Sequence, residues 1–231
     1  MLRLETTTIV QGTFSLRADF TVAPGRKVAV IGPSGAGKST LINAICGFVP
    51  LQSGQMFWQD RDITKTAPGD RPMAMLFQDN NLFSHLSVER NVGLGLRPDL
   101  RLSDTDRAAV ASALTRVGLS QYAATKPGAL SGGQQSRAAL ARVLVQARPM
   151  ILLDEPFAAL GPALRNEMLD LVSDLASETD ATLMMVTHAP GDVRRIADDV
   201  IFVEGGHALA PQPAEALMDN PPAALRDYLG A

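Results

Sequence analysis

Lys27-Val28-Ala29-Val30-Ile31-Gly32-Pro33-Ser34-Gly35-Ala36-Gly37-Lys38-Ser39-Thr40 runs from a short β-branched stretch through a loop with three glycines into a helical stretch over residues 38–46. That order is the first half of a βα unit. Its loop fits G-x-x-x-x-G-K-[ST] in the strand-before, helix-after setting that the pattern requires. Glycines let the backbone curl until its N–H groups converge on phosphate oxygens, and the helix N-terminus adds positive potential. The phosphate-binding candidates are Gly32, Pro33, Ser34, Gly35, Ala36, Gly37, Lys38, Ser39 and Thr40. Lys38 would neutralise the β and γ phosphates of a nucleotide, and the Ser39 hydroxyl would ligate Mg²⁺.

Further apolar runs over residues 73–77, 150–153, 183–186 and 200–203 suit buried parallel strands, with helices between most of them. Ahead of the loop, residues 2–10 and 14–22 alternate in part and are joined by Gln11-Gly12, which predicts an antiparallel β element. From about residue 86 to 149 strand signals vanish. There Ser103 reads as an N-cap before a helix with Val110, Ala113, Leu114 and Val117 on one face, closed by Gly118. The expected fold is α/β: a P-loop NTPase (RecA-like) core with a mainly parallel sheet, N-terminal antiparallel β elements and an inserted α-helical subdomain. All 231 residues form one domain in this reading, with 1–85 and 150–231 as core and about 86–149 as the helical subdomain.

Asp154-Glu155 follows the 150–153 run and so places two acids at the carboxyl end of a buried strand, the edge where α/β sheets hold ligands. Asp154 would hold Mg²⁺ through water. Glu155, turned away from it by strand alternation, would act as general base toward an attacking water, an effect worth ~10²–10⁴-fold. Taken alone, such a pair is more often a solvated strand end. Beside a phosphate loop the functional reading prevails.

Composition removes several classes. With 21 basic and 24 acidic residues the net charge is −3, which leaves no electrostatic footprint for nucleic acid. The one cysteine, Cys46, flanked by Leu41, Ile45 and Phe48, can form no internal disulfide and reads as buried packing in a reducing compartment. No apolar run approaches the ~18 residues of a membrane-spanning helix. The first ten residues lack the basic-then-apolar order of a secretory signal, so a cytoplasmic location is expected.

Phosphate loop and acid pair are shared by kinases, GTPases and helicases. Leu130-Ser131-Gly132-Gly133-Gln134 narrows the field, because it resembles the LSGGQ signature of ABC ATPases and precedes an alanine-rich stretch leading to Glu155. The resemblance spans the whole chain. Ser131 and Gly133, at the start of a helix running to about residue 147, would make a second anion site. In the family that site meets ATP held by the other protomer, which implies a head-to-tail homodimer enclosing two ATP molecules. The resemblance also implies that Gln78 is the Q-loop glutamine touching Mg²⁺ or the attacking water, and that His188 is the switch histidine at the γ-phosphate. The implied catalytic set is Glu155, His188, Lys38 and Gln78; the implied metal set is Ser39, Gln78 and Asp154. Two positions depart from the pattern. Gly161 stands where the family has Asp at the start of a helix and in contact with the partner. Gln11 stands where an aromatic residue stacks on adenine, with Phe14 the nearest substitute.

Residues 76–86, Leu-Phe-Gln-Asp-Asn-Asn-Leu-Phe-Ser-His-Leu, and 91–96, Asn-Val-Gly-Leu-Gly-Leu, resemble the matching stretches in ATPase subunits of bacterial thiamine importers. The resemblance implies a peripheral subunit on the cytoplasmic face of the inner membrane. Its partners would be transmembrane permease subunits and, indirectly, a periplasmic solute-binding protein. Leu82, Phe83 and Leu86 would either line a groove for a permease helix or belong to the subdomain core. An importer ATPase for another small solute, a non-transport ABC protein and a soluble P-loop kinase are the alternatives.

Overall fold

The computed structural model describes residues 1–229. The N-terminal hairpin pairs β1 (Leu2–Gln11) with β2 (Phe14–Val22) across Gly12, whose left-handed φ of 61° glycine adopts at no steric cost. Then come β3 (Lys27–Ile31), α1 (Lys38–Cys46), β4 (Leu51–Trp58), β5 (Arg61–Asp62) and β6 (Met73–Leu76). Helices α2 (Val88–Gly93), α3 (Asp104–Arg116) and α4 (Gly132–Leu144) precede β7 (Met150–Asp154). The remainder alternates α5 (Pro162–Glu178), β8 (Thr182–Val186), α6 (Pro190–Ile196) and β9 (Asp199–Glu204), and ends in β10 (His207–Ala208), β11 (Gln212–Pro213), α7 (Ala214–Asp219) and α8 (Ala223–Leu229).

Ten strands lie side by side in the order β5-β4-β1-β2-β10-β9-β3-β8-β7-β6, with β11 on β9. Strands β9, β3, β8, β7 and β6 are mutually parallel, whereas β1, β2, β4 and β5 pair antiparallel. The α/β fold with a parallel core and N-terminal antiparallel elements is thus as expected. Strands β7 and β8 are buried at every residue, as both faces of a parallel sheet require.

Between β6 and β7, helices α2, α3 and α4 gather their own apolar cluster from Val88, Val92, Val110, Leu114, Leu130 and Ala138. Ser103 caps α3 in a reciprocal box with Asp106, and Gly118 at φ 69° ends that turn. Two expected boundaries shift. Strand β6 stops at Leu76, so Phe77 and Gln78 lie beyond it, and α4 stops at Leu144, ahead of Ala147 in the left-handed region at φ 47°. Cys46 is buried in the main core, as its neighbours suggest.

Candidate functional site

The carboxyl ends of β3, β7 and β8 converge, and the chain places polar side chains at each. At the end of β3 the loop depends on two glycines in particular. A Cβ on Gly32 (φ 150°) would lie 2.1 Å from the Val203 carbonyl oxygen, and one on Gly37 (φ 104°) would lie 2.6 Å from the Phe14 ring. Gly37 also caps α1 without any side-chain acceptor, which leaves the first-turn N–H groups pointing into the loop. Lys38, 5% exposed, folds back so that its Nζ donates to the Gly32 and Pro33 carbonyl oxygens, both at 2.8 Å. Burial pushes its ammonium below the usual lysine range, against the opposing pull of Glu155 and Asp154.

Asp154 ends β7 and is 8% exposed. Its Oδ1 accepts a 3.0 Å hydrogen bond from Ser39 Oγ. Burial raises its carboxyl above the ordinary aspartate range; Ser39 opposes this, Glu155 adds to it, and Lys38 and His188 oppose it. Glu155 diverges from Asp154 for a reason other than strand alternation. The strand has already ended, and Glu155 takes a left-handed φ of 46° with its N–H on the Val186 carbonyl oxygen at 3.2 Å. A non-glycine residue there stores backbone strain of ~1–3 kcal/mol, a feature that clusters at functional sites. The turn brings Glu155 Oε1 to 2.5 Å from His188 Nε2.

Gln11, Phe14, Ser34, Gly35, Gly37, Lys38, Ser39, Thr40, Glu155 and His188 therefore enclose one open cavity of about 420 Å³. Gln11 Oε1 accepts from the Thr40 hydroxyl at 3.2 Å, so both positions at which the family pattern expects an aromatic ring or its substitute border the same space. A cavity of about 470 Å³ between α2 and α3, lined by Glu89, Arg107, Val110 and Leu114 among others, lies outside this cluster.

Seven expected residues are not part of that lining: Gly32, Pro33, Ala36 and Asp154, which belong to the phosphate loop and the end of β7, and Gln78, Ser131 and Gly133, which lie on other segments. Gln78 is exposed in the turn after β6. Ser131 caps α4: its Oγ accepts from the Gln134 N–H at 3.4 Å, while Gln134 Oε1 accepts from the Ser131 N–H at 2.9 Å. Gly133 packs on α5, where a Cβ would sit 2.3 Å from Leu164 Cδ2. Neither Ser131 nor Gly133 borders the phosphate-loop cavity of its own chain. Leu82 packs into both the helical cluster and the core beneath it, Leu86 is half-buried, and Phe83 is exposed. Gly161 caps α5 in extended backbone (φ −64°, ψ 156°) with Pro162 at the first helical position.

The sequence reading misses one cluster, Arg165, Thr187 and Asp192, which lies directly behind His188. Single charges in helices at ordinary spacing read as solvated faces, so only the closeness of Thr187 and Asp192 to His188 in the chain hints at it.

The family model described as ABC transporter matches residues 16–158. A protein of Ruegeria sp. (strain TM1040) named "Thiamine import ATP-binding protein ThiQ" is 58% identical over 231 residues, covering all of both chains. One of the same name from Cereibacter sphaeroides is also 58% identical, over 230 residues and the full length of each. Among solved structures, a dimeric ATP-binding cassette in a post-hydrolysis state bound to ADP and Pi superposes with a TM-score of 0.81 at 27% identity, over 93% of this chain and 99% of that one.

Proposed function

This chain belongs to the ABC transporter family, and from that premise we propose that it is the ATP-hydrolysing subunit of a thiamine importer. As a member it is an ATP-binding ATPase; the solute rests on full-length identity to thiamine import proteins. The observation that carries the chemistry is the 2.5 Å approach of Glu155 to His188 at the mouth of the phosphate loop.

In this reading the loop amides of residues 32–40 and Lys38 take the phosphates, which replace the Gly32 and Pro33 carbonyl oxygens as partners of the ammonium. Donors aimed at the transferring phosphoryl group are the largest source of rate in such reactions. Glu155 accepts the proton of the attacking water, and His188 contacts the γ-phosphate while orienting Glu155. Ser131 and Gly133 meet the ATP of a second copy, so hydrolysis requires a homodimer; the ADP-bound relative is itself described as dimeric. Gln78 links the core to a helical subdomain of about residues 86–149, which seats the permease.

Mg²⁺ fits the residues present. The Ser39 hydroxyl and Asp154 carboxylate are hard oxygen donors already 3.0 Å apart, and no group of three or more His, Cys, Asp or Glu that would favour a softer or all-protein metal site occurs among the described residues. With Gln78 they would hold the ion, which supplies positive charge to the phosphate oxygens. No described helix is long and apolar enough to cross a membrane. The subunit in our reading sits peripherally on the cytoplasmic face, bound to permease subunits and driven indirectly by a periplasmic binding protein.

The experiment is ATP turnover of the complex with its permease, reconstituted with a thiamine-loaded binding protein. Stimulation by thiamine, and loss of at least ~100-fold in turnover with ATP binding retained in Glu155→Gln, is the expected pair of results. Stimulation by a different loaded binding protein would replace the solute; wild-type turnover of Glu155→Gln would remove the base.

A further inference from the structure

Behind His188 three elements meet through polar side chains. Asp192 on α6, 6% exposed, offers Oδ2 to two donors at once: Thr187 Oγ1 at 2.5 Å and Arg165 Nη2 on α5, also at 2.5 Å. Arg165 Nη2 also reaches Thr187 Oγ1 at 3.3 Å. Thr187, 2% exposed, in turn accepts the Ala189 N–H at 3.1 Å on Oγ1, and its own N–H donates to the Val30 carbonyl oxygen at 3.2 Å. Both neighbours of His188 are thereby tied down, one of them to the strand that leads into the phosphate loop. A cavity of about 330 Å³ bordered by Glu155, His188, Arg165 and Asp192 separates the cluster from the reacting groups.

A buried ion pair is weak evidence of a stabilising role, because apolar residues of similar volume often serve as well. What packing alone does not explain is that Arg165 and Asp192 both meet the Thr187 hydroxyl, which in turn holds the Ala189 N–H on the other side of the same imidazole. Among the described residues the 43% exposed His188 side chain pairs with Glu155 alone, while the His188 carbonyl oxygen accepts from the Tyr228 hydroxyl at 3.4 Å. We infer that Arg165 and Asp192 are positioning residues for His188, acting through Thr187 to hold the imidazole against Glu155. This rests on the role proposed above for His188. None of the three touches the nucleotide in this account, so they set turnover and leave affinity alone.

A displacement of about 1 Å at a reacting group can cost ~10²-fold in rate, so loss of the cluster is expected to slow turnover by roughly 10- to 100-fold. The test compares ATP turnover and ATP Kd of Thr187→Val, Thr187→Ser and the paired replacement Arg165→Met with Asp192→Leu, each alone and combined with His188→Ala. The paired replacement leaves no lone buried charge, and thermal melts run beside it report its folding. Expected are slow turnover with Kd within about threefold for Thr187→Val and for the pair, and rescue to within about twofold by Thr187→Ser. Expected too is no further loss when either is added to His188→Ala, the non-additivity of residues that act as a unit. Losses that multiply with that of His188→Ala, or wild-type turnover of the pair, would overturn the positioning role. Wild-type turnover of His188→Ala alone would instead overturn the reading of His188 on which it stands.

Discussion

Ser39 Oγ donates to Asp154 Oδ1 at 3.0 Å and so ties the first turn of α1 to the end of β7. This bond favours the ionised carboxylate, yet burial outweighs it and the carboxyl lies above its ordinary range. A folded-state value above the unfolded one means that the fold binds the proton more tightly. The contribution of Asp154 to stability is therefore fully present below about pH 4 and is lost as pH rises through the folded value.

Asp154→Asn keeps an oxygen acceptor for Ser39 and removes the buried charge. Without nucleotide it should melt above the wild type at pH 7 by roughly 2–4 °C, the shift of ~1 kcal/mol in a domain of this size. The difference should vanish below about pH 4, and turnover with Mg²⁺ should be abolished. Equal melting temperatures at pH 7 would show that burying this carboxylate costs nothing.

Gly161 caps α5 from backbone that any residue can adopt, and a Cβ built on it meets nothing within 4 Å. Gly161→Asp should accept an orphan N–H of the first turn and place a negative charge at the helix N-terminus. A gain of ~0.3–1 kcal/mol, read as a rise in thermal midpoint, is expected. A lower midpoint would show that the glycine is needed for a reason outside the helix.

Cys46 lies in the core, and burial pushes its thiol up to about 12. Its thiolate is negligible at pH 8, so alkylation by iodoacetamide should proceed at least ~100-fold more slowly in the folded chain than in guanidinium. Comparable rates in the two would place the thiol at the surface.

Arg142 on α4 donates at 2.7 Å to the carbonyl oxygens of both Asn80 and Asn81, two consecutive residues in left-handed backbone at φ 56° and 47°. Asn80 Nδ2 adds a 3.3 Å bond to Ser136 on the same helix. The segment after Gln78 is thus latched to α4, the helix that Ser131 caps. Arg142→Ala should speed amide hydrogen exchange across residues 78–83 by at least ~10-fold while β7 and β8 stay protected. Unchanged exchange in that segment would mean that the latch holds without the guanidinium.

The parts legible from sequence are those whose chemistry is local. Residues 32–40 announce their loop through glycine spacing, and the strand runs announce themselves through continuous apolar character, so that Lys38, Ser39, Asp154 and Glu155 could be named before the sheet order brought them together, whereas His188 is named only through the family resemblance. What escaped depends on distant partners. The left-handed turn at Glu155 follows from a bond to Val186 on another strand. Arg165, on a helix of ordinary spacing, gains its meaning only when α6 places Asp192 against it. Arg71 is similar: nothing around it in the chain signals burial, yet it closes the last turn of α1 by donating to the Ala44 and Ile45 carbonyl oxygens at 2.9 and 2.7 Å.

Among the described strands, the antiparallel and parallel halves of the sheet are joined through β10, where two residues, His207 and Ala208, pair with β2 on one side and β9 on the other. Across that seam Leu2, Leu4, Leu16 and Phe20 share one apolar cluster with Val28, Val30, Leu41 and Ile201. The halves are thus glued more than stitched. Apolar adhesion weakens on cooling, so chilling should loosen this joint before it loosens the ladders on either side, and the hairpin that borders the nucleotide cavity through Gln11 and Phe14 would be the first part of the site to drift.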